Sequence, residues 1–390
     1  MSKVRSAIVW SAIDTFWRQG MAFGISVVLA RLLTPEDFGT VALLSVFVAL
    51  AGVFATAGLT QALIQKKAIT IEDESTVFWF TMAAGVILAL MLCAAAPFLA
   101  AAYDVPVLEP LGYVMAANIV LAAAEAVQQT LMTRRLDFRL LTRIGVVSTV
   151  LAGGVAVYFA WIGMGVWAIG AQSIIMNFAT TIMLWLFNSW RPKFIFSATS
   201  FRNLFGYGGY LFAAKILDTG YQRGSALLIG TFFGLHPLGI YQRALRTQEL
   251  PVNMIAHLTA RVMFPVMSAV NDDHDELRAI AGQFTRQIMF IAVPMLIGLA
   301  IVSDLFIAVV FGDQWLPAVP ILSVLCLAGT LWPLHVVNVN LLKSLGHSKL
   351  IFRVEVIKKS LGIAFIIGGS VFGVMGIARG RQLHWQLCRC

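Results

Sequence analysis

The residues best suited to chemistry in this sequence are charged and polar side chains at helical spacing inside apolar stretches. The longest such row lies between residues 240 and 268, and its members are Arg243, Arg246, Glu249, Asn253, His257 and Arg261. At about 100° per residue, these six fall within about 120° of one helix face. A guanidinium group donates two coplanar hydrogen bonds, a geometry that suits phosphate oxygens. The row therefore predicts a polar helix face that could hold a phosphate group.

Three further apolar stretches carry polar faces. Their members are Ser11, Asp14 and Arg18; Asn118, Glu125, Gln128 and Gln129; and Lys215, Asp218, Thr219, Gln222 and Arg223. Charged groups at membrane depth usually face a cavity or a partner. Three pairs have the spacing for an ion pair along one helix, namely Asp14–Arg18, Lys215–Asp218 and Arg246–Glu249. Four polar faces together favour a shared water-filled cavity. Because the four faces carry six cationic side chains and four carboxylates, this cavity is expected to be mildly cationic.

The composition identifies the elements that carry these faces as membrane-spanning helices. The 390 residues are 59% hydrophobic and 12% charged, with a mean hydropathy of +0.84, whereas soluble domains are about 25% charged. A spanning helix needs about 20 mostly apolar residues. About eleven stretches qualify, at approximately 7–33, 38–65, 76–102, 108–132, 144–162, 164–187, 205–234, 240–268, 284–311, 317–343 and 354–377. The sequence thus predicts an all-α polytopic membrane protein.

The basic residues predict the orientation of these spans. Alternate loops hold fourteen Lys and Arg residues, and the five loops between them hold Arg31 alone. Because cytoplasmic loops of membrane proteins are rich in Lys and Arg, the N-terminus is expected on the cytoplasmic side of the membrane. The same rule accounts for the net charge of +9 without a nucleic-acid partner.

A faint internal repeat predicts two lobes. Leu33-Thr-Pro35 before span 2 parallels Leu235-His-Pro237 before span 8. Six spans per repeat predict two parallel six-helix lobes, at 1–190 and 205–377, with the last helix of the second lobe missing. Residues 378–390 then form an aberrant, polar tail, which suggests a frameshift or truncation.

The sequence lacks the common catalytic and metal-binding motifs. No Walker A, nucleophile elbow, HExxH or Cys-ligand pattern is present. The acidic run 272–276 is better explained as a solvated loop than as a metal site. We therefore expect no cofactor, no metal and no enzymatic activity.

Several motifs, in their order and spacing, resemble a known family. They are Arg31-Leu-Leu-Thr-Pro-Glu-Asp-Phe-Gly39, Gln128-Gln129 through Arg134-Arg135-Leu-Asp-Phe-Arg139, Gly165-Val-Trp-Ala168, Leu228-Ile-Gly230, Tyr241-Gln-Arg-Ala-Leu-Arg246, Phe264-Pro265, and Gly312-Asp-Gln-Trp315 with Pro317-Ala-Val-Pro320. From about residue 5 to about residue 377 the chain resembles the bacterial oligosaccharide-lipid flippases of the polysaccharide transporter family. Their superfamily also holds multidrug exporters and the lipid II flippase. The resemblance implies a two-lobed bundle of twelve to fourteen spans around a central cavity, whereas the family would continue with an apolar helix after Ile377.

The resemblance implies a transporter that turns an undecaprenyl-diphosphate-linked oligosaccharide to the outer leaflet by alternating access, for lipopolysaccharide or exopolysaccharide synthesis. The residues expected to contact diphosphate or sugar are Arg18, Arg223, Arg243, Arg246 and Lys215. Candidates for proton or sodium coupling are Asp14, Glu125 and Asp218. The expected partners are the bilayer, the lipid-linked oligosaccharide, and a polysaccharide polymerase with its export machinery; a monomer is expected.

Three alternatives stay open. A multidrug antiporter of the same superfamily would need an acidic cavity, and this one is net basic. A truncated chain could be a non-functional flippase. A membrane glycosyltransferase or polymerase could use Glu36 and Asp37, but the outer loops are only about 4–10 residues long, and Asp37 suits a helix start.

Overall fold

The architecture was determined as a computed structural model that describes residues 17, 19–66, 68–135, 137–269, 274–344 and 348–387. The regular elements of this described part are all helices, which confirms the all-α prediction. They are α1 (Gln19–Leu32), α2 (Pro35–Thr56), α3 (Leu59–Gln65), α4 (Ile71–Tyr103), α5 (Leu108–Arg134), α6 (Phe138–Trp161), α7 (Val166–Phe187), α8 (Ala198–Phe233), α9 (Leu235–Ala269), α10 (His274–Ile301), α11 (Ser303–Val310), a 3₁₀ helix (Asp313–Ala318), α12 (Val319–Gly329), α13 (Trp332–Ser344), α14 (Ser348–Ser370) and α15 (Gly373–Leu387).

Seven segments of the described residues are long and apolar enough to cross a membrane, so the chain is a multi-pass membrane protein. They are Pro35–Thr56, Ile71–Tyr103, Leu108–Arg134, Phe138–Trp161, Val166–Phe187, Asp275–Ile301 and Asp313–Leu342. The predicted number of eleven is not confirmed. Helices α8 and α9 are longer than a span but carry the polar faces described above. Residues 7–16 and 18 of the first predicted span lie outside the described residues, and the rest of it forms the shorter helix α1.

Capping boxes at Thr34 and Thr70 open two of the long helices. The Thr34 hydroxyl accepts from the Asp37 backbone N–H, and the Asp37 carboxylate accepts from the Thr34 N–H. Thr70 and Asp73 make the same reciprocal pair at the start of α4. Each box satisfies N–H groups that a helix start leaves without an intrahelical acceptor. Asp37 is thus a helix-start residue, as the sequence predicts.

Four predicted spans, namely 38–65, 284–311, 317–343 and 354–377, each contain a break between two helices, and two of these breaks lie at residues of positive φ. Span 38–65 divides into α2 and α3 at Ala57 and Gly58, whose φ angles of 44° and 72° are left-handed. Span 354–377 divides at Val371–Phe372 into α14 and α15, with Gly373 at a φ of 76°. Both apolar runs were long enough to be interpreted as single spans.

The α14–α15 hairpin packs through glycines. A Cβ added at Gly376 would clash with the Gly369 carbonyl, and one at Gly380 would clash with the Phe365 carbonyl. Small residues four positions apart allow helix backbones to approach this closely in membranes. Residues 378–387, which belong to the predicted aberrant polar tail, form the C-terminal part of α15.

The chain forms two compact units, Met1–Arg223 and Gly224–Cys390, and the division falls inside α8. The first unit has a core between α3, α4, α5 and the segment after α7, which includes Leu63, Phe78, Leu131 and Trp190. The second unit has a core between α9, α10 and α13, which includes Met263, Ile288 and Val337. Large apolar side chains such as Phe98 and Phe290 are exposed on the helices, as expected of surfaces that face lipid.

Candidate functional site

The polar face of α9 contains two arginines in different environments. Arg246 keeps 62% of its side chain exposed, and its Nη1 lies 3.8 Å from the Glu249 carboxylate. Arg243, one turn earlier, is only 5% exposed. The side chains of Asn253, His257 and Arg261 lie outside the described part of the chain, so the predicted face is described over its first half.

Arg243 is held between two aromatic rings. Its Cζ lies 4.7 Å from the ring centroid of Phe311 and 4.7 Å from that of Trp315. Both rings are fully buried, and they flank Gly312, where the chain enters the 3₁₀ helix at a φ of 100°. A guanidinium between two ring faces is attracted by both ring quadrupoles. The contacts fix α9 to the start of the 3₁₀ helix, a role that sequence reasoning did not assign to Arg243.

The polar face of α8 is organised around Asp218. The Lys215 ammonium lies 3.3 Å from one carboxylate oxygen, and the Gln222 amide donates to the other at 3.1 Å. Lys215 is 62% exposed, whereas Asp218 is half-buried. Arg223 is half-buried one turn later. Two of the three predicted helical ion pairs are therefore present, and the third, Asp14–Arg18, lies outside the described residues.

These two ion pairs leave their cations available to a ligand. Exposed pairs contribute about 0–1 kcal/mol, because water screens the charges and ordering long side chains is unfavourable. A diphosphate carries more negative charge than one carboxylate and can accept several charge-assisted hydrogen bonds. Lys215 and Arg246 are the exposed cations of these two weak ion pairs.

A buried polar network connects α5 and α7 in the first unit. The Asn177 amide donates to the Asn118 Oδ1 at 3.1 Å, and the Asn118 amide donates to the Ser173 hydroxyl. One turn after Asn177 in α7, the Thr181 hydroxyl donates to the Glu125 carboxylate at 3.4 Å. Sequence reasoning identified the α5 side of this network but missed its α7 partners. Their signal was the spacing of Ser173, Asn177 and Thr181, which places all three on one helix face.

Glu125 is the acidic member of this network and is 9% exposed. Its second carboxylate oxygen accepts from the Gln129 amide at 2.9 Å. Next to it, the fully buried Gln128 accepts from the Asn188 amide at 2.6 Å. Among the described residues, no group of three or more His, Cys, Asp or Glu side chains could hold a metal ion.

Comparison with known proteins identifies related sequences over most of the chain. Residues 28–320 match the sequence model of a family described as "Polysaccharide biosynthesis protein". The chain is 27% identical to the teichuronic acid biosynthesis protein TuaB of Bacillus subtilis, over 98% of this chain and 79% of that protein. It is also 27% identical to the lipopolysaccharide biosynthesis protein WzxC of Escherichia coli, over 97% and 77%. For the succinoglycan biosynthesis transport protein ExoT of Rhizobium meliloti the identity is again 27%, over 93% and 74%.

Solved structures of similar fold are membrane transporters. The lipid II flippase MurJ in an inward closed conformation superposes with a TM-score of 0.79 at 15% identity, over 98% of this chain and 86% of that chain. An inward-facing multidrug resistance transporter of the MATE family superposes with a TM-score of 0.73 at 14% identity, over 98% and 96%. At these identities the likeness establishes the fold alone.

Proposed function

The chain belongs to the polysaccharide biosynthesis protein family, and we propose that it flips undecaprenyl-diphosphate-linked oligosaccharide repeat units across the bacterial inner membrane. The observation that carries this proposal is the family match over residues 28–320, supported by relatives that align with nearly the whole chain. One of them is named as a transport protein for succinoglycan biosynthesis. The product would be an outward-facing repeat unit for lipopolysaccharide or exopolysaccharide synthesis.

The cationic polar faces support a role in binding the diphosphate. A charged headgroup cannot cross hydrocarbon unaided, because burying an unpaired charge is very unfavourable. We assign this contact to Arg18, Arg223, Arg246 and Lys215, which would replace the water around the phosphates. The exposure of Lys215 and Arg246 and their weak ion pairs are consistent with this role. Arg243 is also a candidate from the sequence, but we assign it to holding α9, because its guanidinium is buried and lies over two buried rings.

We propose alternating access as the mechanism, with each lobe moving as a unit and the lipid tail staying in the bilayer. Asp14, Glu125 and Asp218 are the candidate carriers for a coupling proton or sodium ion. The basic loops support an N-terminus in the cytoplasm. A monomer is sufficient because both lobes lie on one chain. A polysaccharide polymerase would receive the flipped product, and the protein itself would carry out transport without catalysis.

The experiment is a flipping assay in liposomes with a fluorescent lipid-linked oligosaccharide. Replacing Arg18 and Arg246 together by Ala should slow flipping at least tenfold, since two charge-assisted contacts of about 1.5–3 kcal/mol each are lost. Arg143→Ala, an exposed arginine at the start of α6, is the matched control and should flip at the wild-type rate. Unchanged flipping by the double variant would refute the assignment of these two arginines.

A further inference from the structure

The linker between α7 and α8, residues 188–197, has a fixed shape although it contains no helix. The Trp190 indole donates to the Glu74 carboxylate at 2.6 Å. The Lys193 backbone N–H donates to the Ser75 hydroxyl at 3.1 Å, and that of Ser197 donates to the Thr76 hydroxyl at 3.0 Å. Three successive residues near the start of α4 therefore hold the linker at three points. Its remaining side chains are displayed on a rigid support.

Those side chains include a row of exposed aromatic rings. Phe194 is 92% exposed and stacks on Trp79 at a centroid distance of 5.0 Å. Phe196, 57% exposed, lies 6.2 Å from the ring of Phe201, which stacks on Phe205 at 5.6 Å. Phe201 also contacts Phe80, the neighbour of Trp79 in α4. The rings thus form two contacting groups, which meet α4 at the neighbouring residues Trp79 and Phe80, rather than isolated exposed residues, and clustered apolar surface marks interaction sites.

Two cations accompany the rings. Lys193 and Arg202 are exposed, and within the described part of the chain neither lies in an ion pair. Of the nearby acids, Asp73 pairs with Lys66 at 2.6 Å, and Glu74 accepts the Trp190 indole. Of the three acids in the first turn of α4, Glu72 is the exposed one. The Arg191 guanidinium donates to backbone carbonyls that include those of Asn188 and Trp190, so it does not belong to this exposed pair of cations.

We propose that this linker surface is a membrane-surface anchor that binds anionic phospholipid headgroups. It consists of Trp79, Lys193, Phe194, Phe196, Arg202 and Phe205. Aromatic rings concentrate at the level of lipid headgroups, and adjacent cations are attracted to anionic lipids there. The surface is continuous with lipid-facing apolar residues, because Leu186 and Phe187 at the end of α7 are 71% and 60% exposed. That continuity identifies the partner as the bilayer, and this anchoring does not depend on the transported substrate.

The test is a lipid titration of the purified full-length chain in neutral detergent, followed by thermal unfolding. Phosphatidylglycerol should raise the unfolding temperature in a saturable way, whereas phosphatidylcholine of the same chain length and inorganic phosphate should not. Each cation near a membrane surface contributes roughly fivefold to binding. Lys193→Gln with Arg202→Gln should therefore weaken the apparent affinity for phosphatidylglycerol about 25-fold. Phe194→Ser should also weaken it, because the ring no longer enters the headgroup region.

Two controls keep the result decisive. Arg135→Gln with Arg143→Gln removes the same charge from exposed positions of another predicted cytoplasmic loop and should change the affinity less than twofold. Lys193→Arg with Arg202→Lys keeps both charges and should retain wild-type affinity, which shows that the positive charges and not the particular side chains are required. The proposal is overturned if the glutamine variant of the linker binds as tightly as wild type, if both glutamine pairs weaken binding equally, or if inorganic phosphate reproduces the stabilisation.

Discussion

The placement of Arg243 between Phe311 and Trp315 makes a quantitative prediction for a double-mutant cycle. The changes are Arg243→Met, Trp315→Leu and the two combined. Arg243 is 5% exposed, and its Cζ lies 4.7 Å from the Trp315 ring centroid. A desolvated cation–π contact contributes about 2 kcal/mol. The cycle removes the separate costs of desolvating the charge and of leaving a cavity, and it isolates the interaction of the pair.

The assay is equilibrium unfolding of the detergent-solubilised protein by denaturant for the four chains. We expect a coupling free energy of about 2 kcal/mol, equivalent to about a 30-fold change in the unfolding equilibrium constant. The matched control is the same cycle carried out at Arg246, whose side chain lies on the same helix but is 62% exposed. The cycle of Arg246→Met with Trp315→Leu should give a coupling near zero. A coupling below about 0.5 kcal/mol for Arg243, or an equal value for both arginines, would show that the rings do not hold the guanidinium.

Three further predictions concern packing and helix ends, each measured by the free energy of unfolding. Gly376→Ala should destabilise the chain by about 1–3 kcal/mol, because the added Cβ would clash with the Gly369 carbonyl. Gly368→Ala is the control and should be neutral or stabilising, because its added Cβ has no atom within 4 Å. Equal effects of the two changes would refute the close packing of α14 and α15. Arg134→Met should cost about 1–3 kcal/mol, because the Arg134 guanidinium donates to three carbonyls at the end of α3, and a loss under 0.5 kcal/mol would contradict those bonds. Thr34→Ala should cost about 1 kcal/mol through the lost cap of α2, and no loss would mean that the capping box is not formed.

Local features of the fold could be predicted from the sequence, because they depend on residues close together in the chain. Apolar runs with basic ends predicted the helices, and helical spacing predicted the pairs Lys215–Asp218 and Arg246–Glu249. The turn at Val371–Phe372 was missed because hydropathy alone does not distinguish one span from two helices joined inside an apolar run. The glycines at 368, 369, 373 and 376 were the available signal.

The environment of the candidate site could not be predicted, because it depends on contacts that are distant in sequence. Arg243 has the same residue type and helix face as Arg246, yet the rings that bury it come from residues about seventy positions later. Glu125 likewise meets its α7 partner Thr181 only after folding. The spacing of polar residues predicts which helix faces are polar, whereas packing decides which cations stay exposed to a ligand.

The proposed function predicts that the wild-type chain alone moves the lipid-linked oligosaccharide from one leaflet to the other. Purified protein is reconstituted into liposomes that carry a fluorescent undecaprenyl-diphosphate oligosaccharide, and the label in the outer leaflet is followed with a membrane-impermeant quencher. We expect label from both leaflets to reach the quencher within minutes in vesicles that contain the protein, whereas half stays protected in protein-free vesicles. An equal protected fraction in both preparations would contradict the proposal that this chain is an oligosaccharide-lipid flippase.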